Sequence, residues 1–198
     1  MKGLTIETST SSALVSVTDQ KKVINFTIIE PAQNLSKDLL PSIKQLLLEG
    51  GLELKNLAYV AVGIGPGAYT GVRVGAIVGK SLAYSLNIPL IGFESPLAFL
   101  PENRCGTFAF LADAKMGQFY LLKGTKTSDT ATLQFPAQLI DNDKLNSADI
   151  TADFLIAPPV CGLNNALSPA LNPFLIASIA FERFSTHSPY EFKLIYYR

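Results

Sequence analysis

Three short alternating runs, joined by turns too short to hold a helix, open the chain and fix the kind of sheet it can build. Leu4 to Thr8, Ala13 to Thr18 and Val23 to Ile29 read as strands, with Ser9-Thr10-Ser11-Ser12 and Asp19-Gln20-Lys21 between them. Polar connections of that length make hairpins, so these strands pair antiparallel. Then the period changes. Leu35, Leu39, Leu40, Ile43, Leu46 and Leu47 recur at three-to-four spacing, with Asn34 or Ser36 as cap and Gly50-Gly51 as stop, which predicts a helix. An apolar strand from Leu57 to Val62 leads into a glycine loop and a helix from about Thr70 to Leu86. The strand Pro89 to Gly92 and a helix beginning near Glu94-Ser95 complete the first half.

Parallel strands need helical crossovers, whereas the first three are tied too tightly for one. The order βββαβαβα therefore predicts an α/β lobe with a mixed sheet, of the ribonuclease-H-like or actin-like ATPase kind. The second half reads as a reduced copy. Phe108 to Leu111, Gln118 to Leu122 and Ala131 to Phe135 are strands, Pro136 to Leu145 a short helix, Phe154 to Ala157 a strand and Phe174 to Phe184 a helix. A boundary near Leu100-Pro101 gives an N-terminal lobe over residues 1–101 and a smaller C-terminal lobe over 102–198, each of βββαβα plan.

Composition excludes several classes. Sixteen basic and sixteen acidic residues cancel among 198, and no Lys/Arg block stands out, so direct phosphate neutralisation on RNA is not expected. A 48% hydrophobic content supports a core rather than disorder. Cys105 and Cys161 lie far apart without a partner motif, which suits a reducing compartment and leaves a single disulfide open. Glu7 interrupts the N-terminus before a signal-peptide core can form. The apolar stretch from Ala58 to Gly92 holds Gly65-Pro66-Gly67, Arg73 and Lys80, unsuited to a membrane span. A cytoplasmic protein is expected.

Gly63 to Arg73, GIGPGAYTGVR, is the most informative segment. It joins a buried strand to a helix, where free N–H groups and the helix dipole favour an anion. Thr8, Ser9, Gly65, Gly67 and Arg73 are the candidate nucleotide or anion contacts. No Lys-Ser/Thr follows as a P-loop requires. Gly63, Gly65 and Ala68 satisfy G-x-G-x-x-A with Glu94 as ribose acid, but Pro66 removes a donor where a pyrophosphate would need one. Inside the helix, Gly71, Gly75, Gly79 and Ala83 sit four apart, with Val74, Ile77, Val78 and Leu82 as apolar neighbours. Each interior glycine costs roughly 0.5–1 kcal/mol against alanine, so something must approach the backbone closely. Either the lobe's own sheet or a partner can do so. The partner reading assigns Leu39, Ile43, Gly71, Val74, Gly75, Val78, Gly79 and Leu82 to an interface.

Catalytic chemistry is sparse. The first hairpin, Glu7 to Ser12, lacks the glycine that lets an actin-like ATPase bring backbone against phosphate. His187 is the only histidine, no Cys-x-x-Cys exists, and no Gly-x-Ser-x-Gly supplies a triad serine. Asp113 and Glu7 are candidate structural or ligand-facing carboxylates. Neither a catalytic residue nor a metal site is assigned.

These residues resemble the TsaB (YeaZ) family, the non-catalytic relative of the TsaD-type ATPase in bacterial tRNA threonylcarbamoyladenosine synthesis. The resemblance is carried by Leu4-Thr5-Ile6-Glu7-Thr8-Ser9, by Leu39-Leu40-Pro41-Ser42-Ile43 and most strongly by Gly65-Pro66-Gly67-Ala68-Tyr69-Thr70-Gly71-Val72-Arg73-Val74-Gly75. Asp113-Ala114-Lys115 with Gln118-Phe119-Tyr120, and Leu194-Ile195-Tyr196-Tyr197-Arg198, add scattered support. It implies a two-lobe actin-like fold without a competent metal or ATP site, and a chain with no cofactor of its own. It also implies that the first two helices dock a TsaD-like subunit, joined by a TsaE-like ATPase, with ATP used by those partners and tRNA reached only indirectly. Isolated chains would pair as homodimers through the same surface. The rival readings are an actin-like ATPase or kinase using Thr8–Ser12 and Gly65–Gly67, and a peptidase, for which no residues speak.

Overall fold

The computed structural model describes residues 1–30, 34–147, 150–158, 161–186 and 193–195. Three strands open it: β1 (Lys2–Glu7), β2 (Ala13–Asp19) and β3 (Lys22–Ile29). Helix α1 (Leu35–Glu49), β4 (Leu57–Gly63), α2 (Tyr69–Leu86) and β5 (Leu90–Phe93) follow. They build a five-stranded sheet in the order β3-β2-β1-β4-β5. Strands β1, β2 and β3 pair antiparallel, while β4 lies parallel to both β1 and β5. The mixed sheet expected from turn lengths is present, with α1 and α2 as the crossovers.

The second sheet contains β6 (Gly106–Lys115), β7 (Gln118–Lys126), β8 (Ala131–Asp141) and β9 (Phe154–Ile156), in the order β8-β7-β6-β9. The first four strands of each sheet thus follow one plan, the topological mark of an actin-like pair of lobes. Two expected helices are absent. After β5 the chain makes only a 3-10 turn, Ser95–Phe99. All five of its residues are buried, and the apolar surroundings leave no wet face for a longer amphipathic helix. The segment expected to be helical from Pro136 continues as β8 to Asp141, because pairing with β7 as far as Gln118↔Asp141 overrides local helix preference. A 3-10 turn over Asn142–Ser147 is all that remains of that helix.

Helix α3 (Pro173–Ser185) departs most from the sequence reading. Assigned to the second lobe, it packs on the first sheet, against β3, β5 and β1. Asn172 fastens its start. The Asn172 N–H donates to Ala98 O (2.7 Å), its Nδ2 donates to Leu100 O (3.0 Å), and its Oδ1 caps the Phe174 N–H (3.0 Å). Arg183 fastens its end, donating to Gly92 O and to the Glu94 carboxylate, both at 2.6 Å. Glu94, considered above as a ribose acid, is therefore committed to an internal ion pair. One core cluster runs through both lobes, joining Tyr59, Ile91 and Phe93 to Phe108, Phe110 and Ile156, with Leu175, Ile176 and Ile179 of α3 among them.

Lys126 ties the linker between the lobes. Its side chain is buried, and Nζ donates to the carbonyls of Arg104 (2.9 Å), Glu102 (3.2 Å) and Thr127 (3.2 Å). A buried ammonium is tolerated only when its donors are met in this way.

Candidate docking face and interlobe cleft

The inner face of α2 is shaped by the β1–β2 turn. A methyl group built on Gly71 would overlap the Thr8 carbonyl oxygen, one on Gly75 the Thr8 hydroxyl, and one on Gly79 the Val62 side chain of β4. Thr8 Oγ1 also donates to Gly71 O at 2.8 Å. The glycine stripe therefore lets α2 lie against its own sheet and hairpin. Gly75 and Gly79 are buried in that packing and present no surface to a partner, while Gly71 is half-buried. Leu39 and Ile43 are corrected likewise, being 0% and 2% exposed in the core under α1. Val74, Val78 and Leu82 are half-buried and pack against that same core.

What the helix pair offers to solvent is its opposite side. Ile77 is 65% exposed and Tyr84 89% on α2, and Leu40 and Leu48 are exposed on α1. Arg73 lies at the start of this face, its guanidinium 4.1 Å above the Tyr69 ring. The half-buried Leu194 sits beside Arg73, Ala76, Ile77 and Lys80, and the Ile195 N–H donates to Ile64 O at 2.8 Å. The sequence signal for this surface was the position of Ile77, roughly opposite the glycines. Leu40, Leu48 and Tyr84 were missed because an apolar residue on an amphipathic helix is assigned to the core by default.

The glycine loop closes over the first hairpin. The Ala68 N–H donates to Ser9 O (2.7 Å), and Gly67 lies so near Ser9 that a side chain there would clash. The Gly65 N–H donates to Ser95 Oγ (3.0 Å), and the Ser95 N–H returns to Gly65 O (2.9 Å). Gly65 adopts φ +93°, which only glycine takes readily. Of the five candidate anion contacts, Ser9 and Gly67 reach the cleft between the lobes. Thr8 is spent on α2, Gly65 on Ser95, and Arg73 is exposed on α2 rather than lining the cleft.

That cleft has a volume of about 260 Å³, with Pro66, Pro96, Phe99 and Phe110 among its walls and Ser9, Thr10 and Ser11 on one side. Among the described residues, Asp113 is the one charged residue in its lining. Phosphate groups would meet that carboxylate and no cation of the described lining, the reverse of what charge-assisted phosphate binding uses. Below the Ser9 turn, Glu7 is fully buried. Its Oε1 accepts the Ser9 N–H at 2.6 Å, while Oε2 has no partner among the described residues. Burial pushes the carboxyl above its ordinary range, against the pull of hydrogen bonds from Ser9, Ser95 and Thr8.

Cys161 is buried and its thiol is pushed up to about 11, first by burial and then by the charge of Asp113. A thiol so shifted is not a thiolate at neutral pH. Among the described residues no group of three His, Cys, Asp or Glu could hold a metal ion. His187 and Tyr196 to Arg198 lie outside the described residues. No described helix is long and apolar enough to cross a membrane.

Two lobes of repeated strand order, with a glycine-loop helix docked on the first hairpin, define an α/β chain of the actin-like, ribonuclease-H-like ATPase fold. The chain belongs to the family described as TsaD, tRNA N6-adenosine threonylcarbamoyltransferase, whose model matches residues 29–148. Within it, the TsaB (YeaZ) resemblance holds. The chain is similar to the tRNA threonylcarbamoyladenosine biosynthesis protein TsaB of Buchnera aphidicola (Schizaphis graminum), 32% identical over 126 residues, covering 59% of this chain and 57% of that protein. It is 33% identical to TsaB of Bacillus subtilis over 119 residues, covering 59% and 52% respectively. The chain's match thus spans a little over half the length of these curated relatives. Among solved structures, YeaZ from Pseudomonas aeruginosa superposes with a TM-score of 0.79 at 20% identity, covering 99% of both chains. That likeness shows the same fold for the described residues of both lobes.

Proposed function

We propose that the chain is a non-catalytic partner subunit in tRNA threonylcarbamoyladenosine synthesis, which docks a TsaD-like subunit through the outer face of α1 and α2. The observation that supports this most is the solvent-facing set Leu40, Leu48, Ile77 and Tyr84 on a helix layer whose inner side is already filled by the chain's own core. Large apolar side chains gathered on one face of a soluble protein mark an interaction surface. A TsaE-like ATPase joins the assembly, ATP is used by the partners, and tRNA is reached through them.

The cleft chemistry favours this reading over an ATPase or kinase, since the one charge lining it among the described residues is the carboxylate Asp113. The test is Ile77→Asp, which places a charge at the centre of the face without touching the core. Calorimetric titration against the TsaD-like protein of the same organism should lose its binding heat, while the thermal midpoint stays put. Undiminished affinity would defeat the docking reading. Micromolar binding of magnesium-ATP by the isolated chain would favour the enzyme instead.

A further inference from the structure

The path between the lobes is bonded at every second residue. Ala98, Leu100, Glu102 and Arg104 each turn a carbonyl to a donor, and the donors belong to Asn172 and Lys126. The Asn172 N–H donates to Ala98 O and its Nδ2 to Leu100 O, while Lys126 Nζ donates to Glu102 O and Arg104 O. A turn at Glu102 and Asn103 brings the last two carbonyls to one ammonium. The third Lys126 proton goes to Thr127 O, so all three donors of the ammonium are engaged. Where the linker enters β6, Thr107 is fastened as well. Its N–H and Oγ1 donate to Asp153 Oδ2, at 2.7 and 2.8 Å, and the Asp153 N–H returns to Thr107 O at 3.0 Å.

Lys126 ends β7 of the second sheet, and Asn172 lies on the way back to the first lobe, immediately before α3. Among the described residues the chain passes between the lobes twice, and Asn172 bonds the return path to the outgoing one. A hinge needs its few connecting residues free to change φ and ψ. Here rotation of either connection must break hydrogen bonds of the other. It must also part a core that runs through both lobes, in which Leu97 and Leu100 are fully buried and the Phe99 and Phe110 rings lie 5.7 Å apart.

Independently of the docking reading, we infer that Asn172 and Lys126 lock the two lobes into one rigid body, so that the cleft between them keeps its width and does not close over a ligand. Two-lobed proteins that enclose a ligand do so by hinge or shear closure, which shuts out water. A cleft of fixed width gives up that step, and whatever enters it must fit the shape already present.

Spin labels on the two lobes test the lock. Ser81→Cys on α2 and Gln138→Cys on β8, both exposed positions, carry the labels in a Cys105→Ser background, while the buried Cys161 stays. Pulsed electron spin resonance should give one narrow distance peak, unchanged by excess magnesium-ATP. Asn172→Asp keeps the helix cap and the backbone bond to Ala98 but loses the Nδ2 donor. Combined with Lys126→Met, it should broaden the peak about twofold or split it, while thermal unfolding remains cooperative.

A broad or divided peak with Asn172 and Lys126 intact, or a shift on adding magnesium-ATP, would overturn the inference. So would a peak that stays narrow in the folded double variant, since the shared core and not these two residues would then hold the lobes. If the double variant does not fold, Asn172→Asp alone decides in the same way.

Discussion

The two faces of α2 use the same helix for opposite ends. The inner face is bare: Gly71, Gly75 and Gly79 let the backbone settle against the Thr8 hairpin and Val62 so closely that no β-carbon fits. The outer face is crowded with large side chains that touch little of the chain itself, Ile77 and Tyr84 foremost. Smoothness on a helix here marks self-packing, and bulk marks the surface left for another molecule. A stripe of small residues in a soluble protein is therefore ambiguous until the sheet beneath it is seen.

Substitutions on the two faces should separate sharply. Gly75→Leu forces a side chain into the buried Thr8 side chain, and overpacking there should cost about 3 kcal/mol, read as a collapse of the urea midpoint. A folded Gly75→Leu protein of near-normal stability would show that the hairpin yields and would blur the contrast. Next in size is Lys126→Met, which leaves the linker carbonyls of Glu102 and Arg104, and that of Thr127, without their donor. It should cost about 1–3 kcal/mol in thermal or chemical unfolding.

Glu7 gives a smaller effect with a defined pH signature. Its folded pKa is raised above 4.5 by burial, so the unfolded state releases this proton first as pH climbs. Stability therefore falls as pH rises from about 4.5 to the folded pKa and then levels off. Glu7→Gln should remove that decline and leave the variant the more stable protein at neutral pH, seen in urea midpoints across the pH range. The smallest stability change belongs to Ile77→Asp, within about 0.5 kcal/mol of wild type, because the side chain is mostly in water.

The lobes show how far local sequence patterns reach. Hairpins β1 to β3, helix α1 and the strand–loop–helix at Gly63 were legible because turn length and apolar period each pointed to one answer. The helix expected from Pro136 was not, since its residues extend β8 along β7, a long-range pairing no local pattern records. Nor was the docking of α3 on the first sheet. It depends on Asn172 reaching Ala98 and Leu100, and on Arg183 reaching Glu94, across 72 to 89 residues of chain. At the site, the glycine loop and its flanking helices were recognised, but which side of α2 faced inward was not. Periodicity gives the angle between two stripes and leaves open which of them meets the sheet.

Hydroxyl-radical footprinting of the chain alone and with a stoichiometric TsaD-like subunit tests the docking face most directly. Tyr84, 89% exposed on α2, should lose most of its reactivity in the mixture, while Met116, 98% exposed on the second lobe, keeps its own. Undiminished oxidation of Tyr84 under conditions where the two proteins co-sediment would place the contact elsewhere and contradict the account.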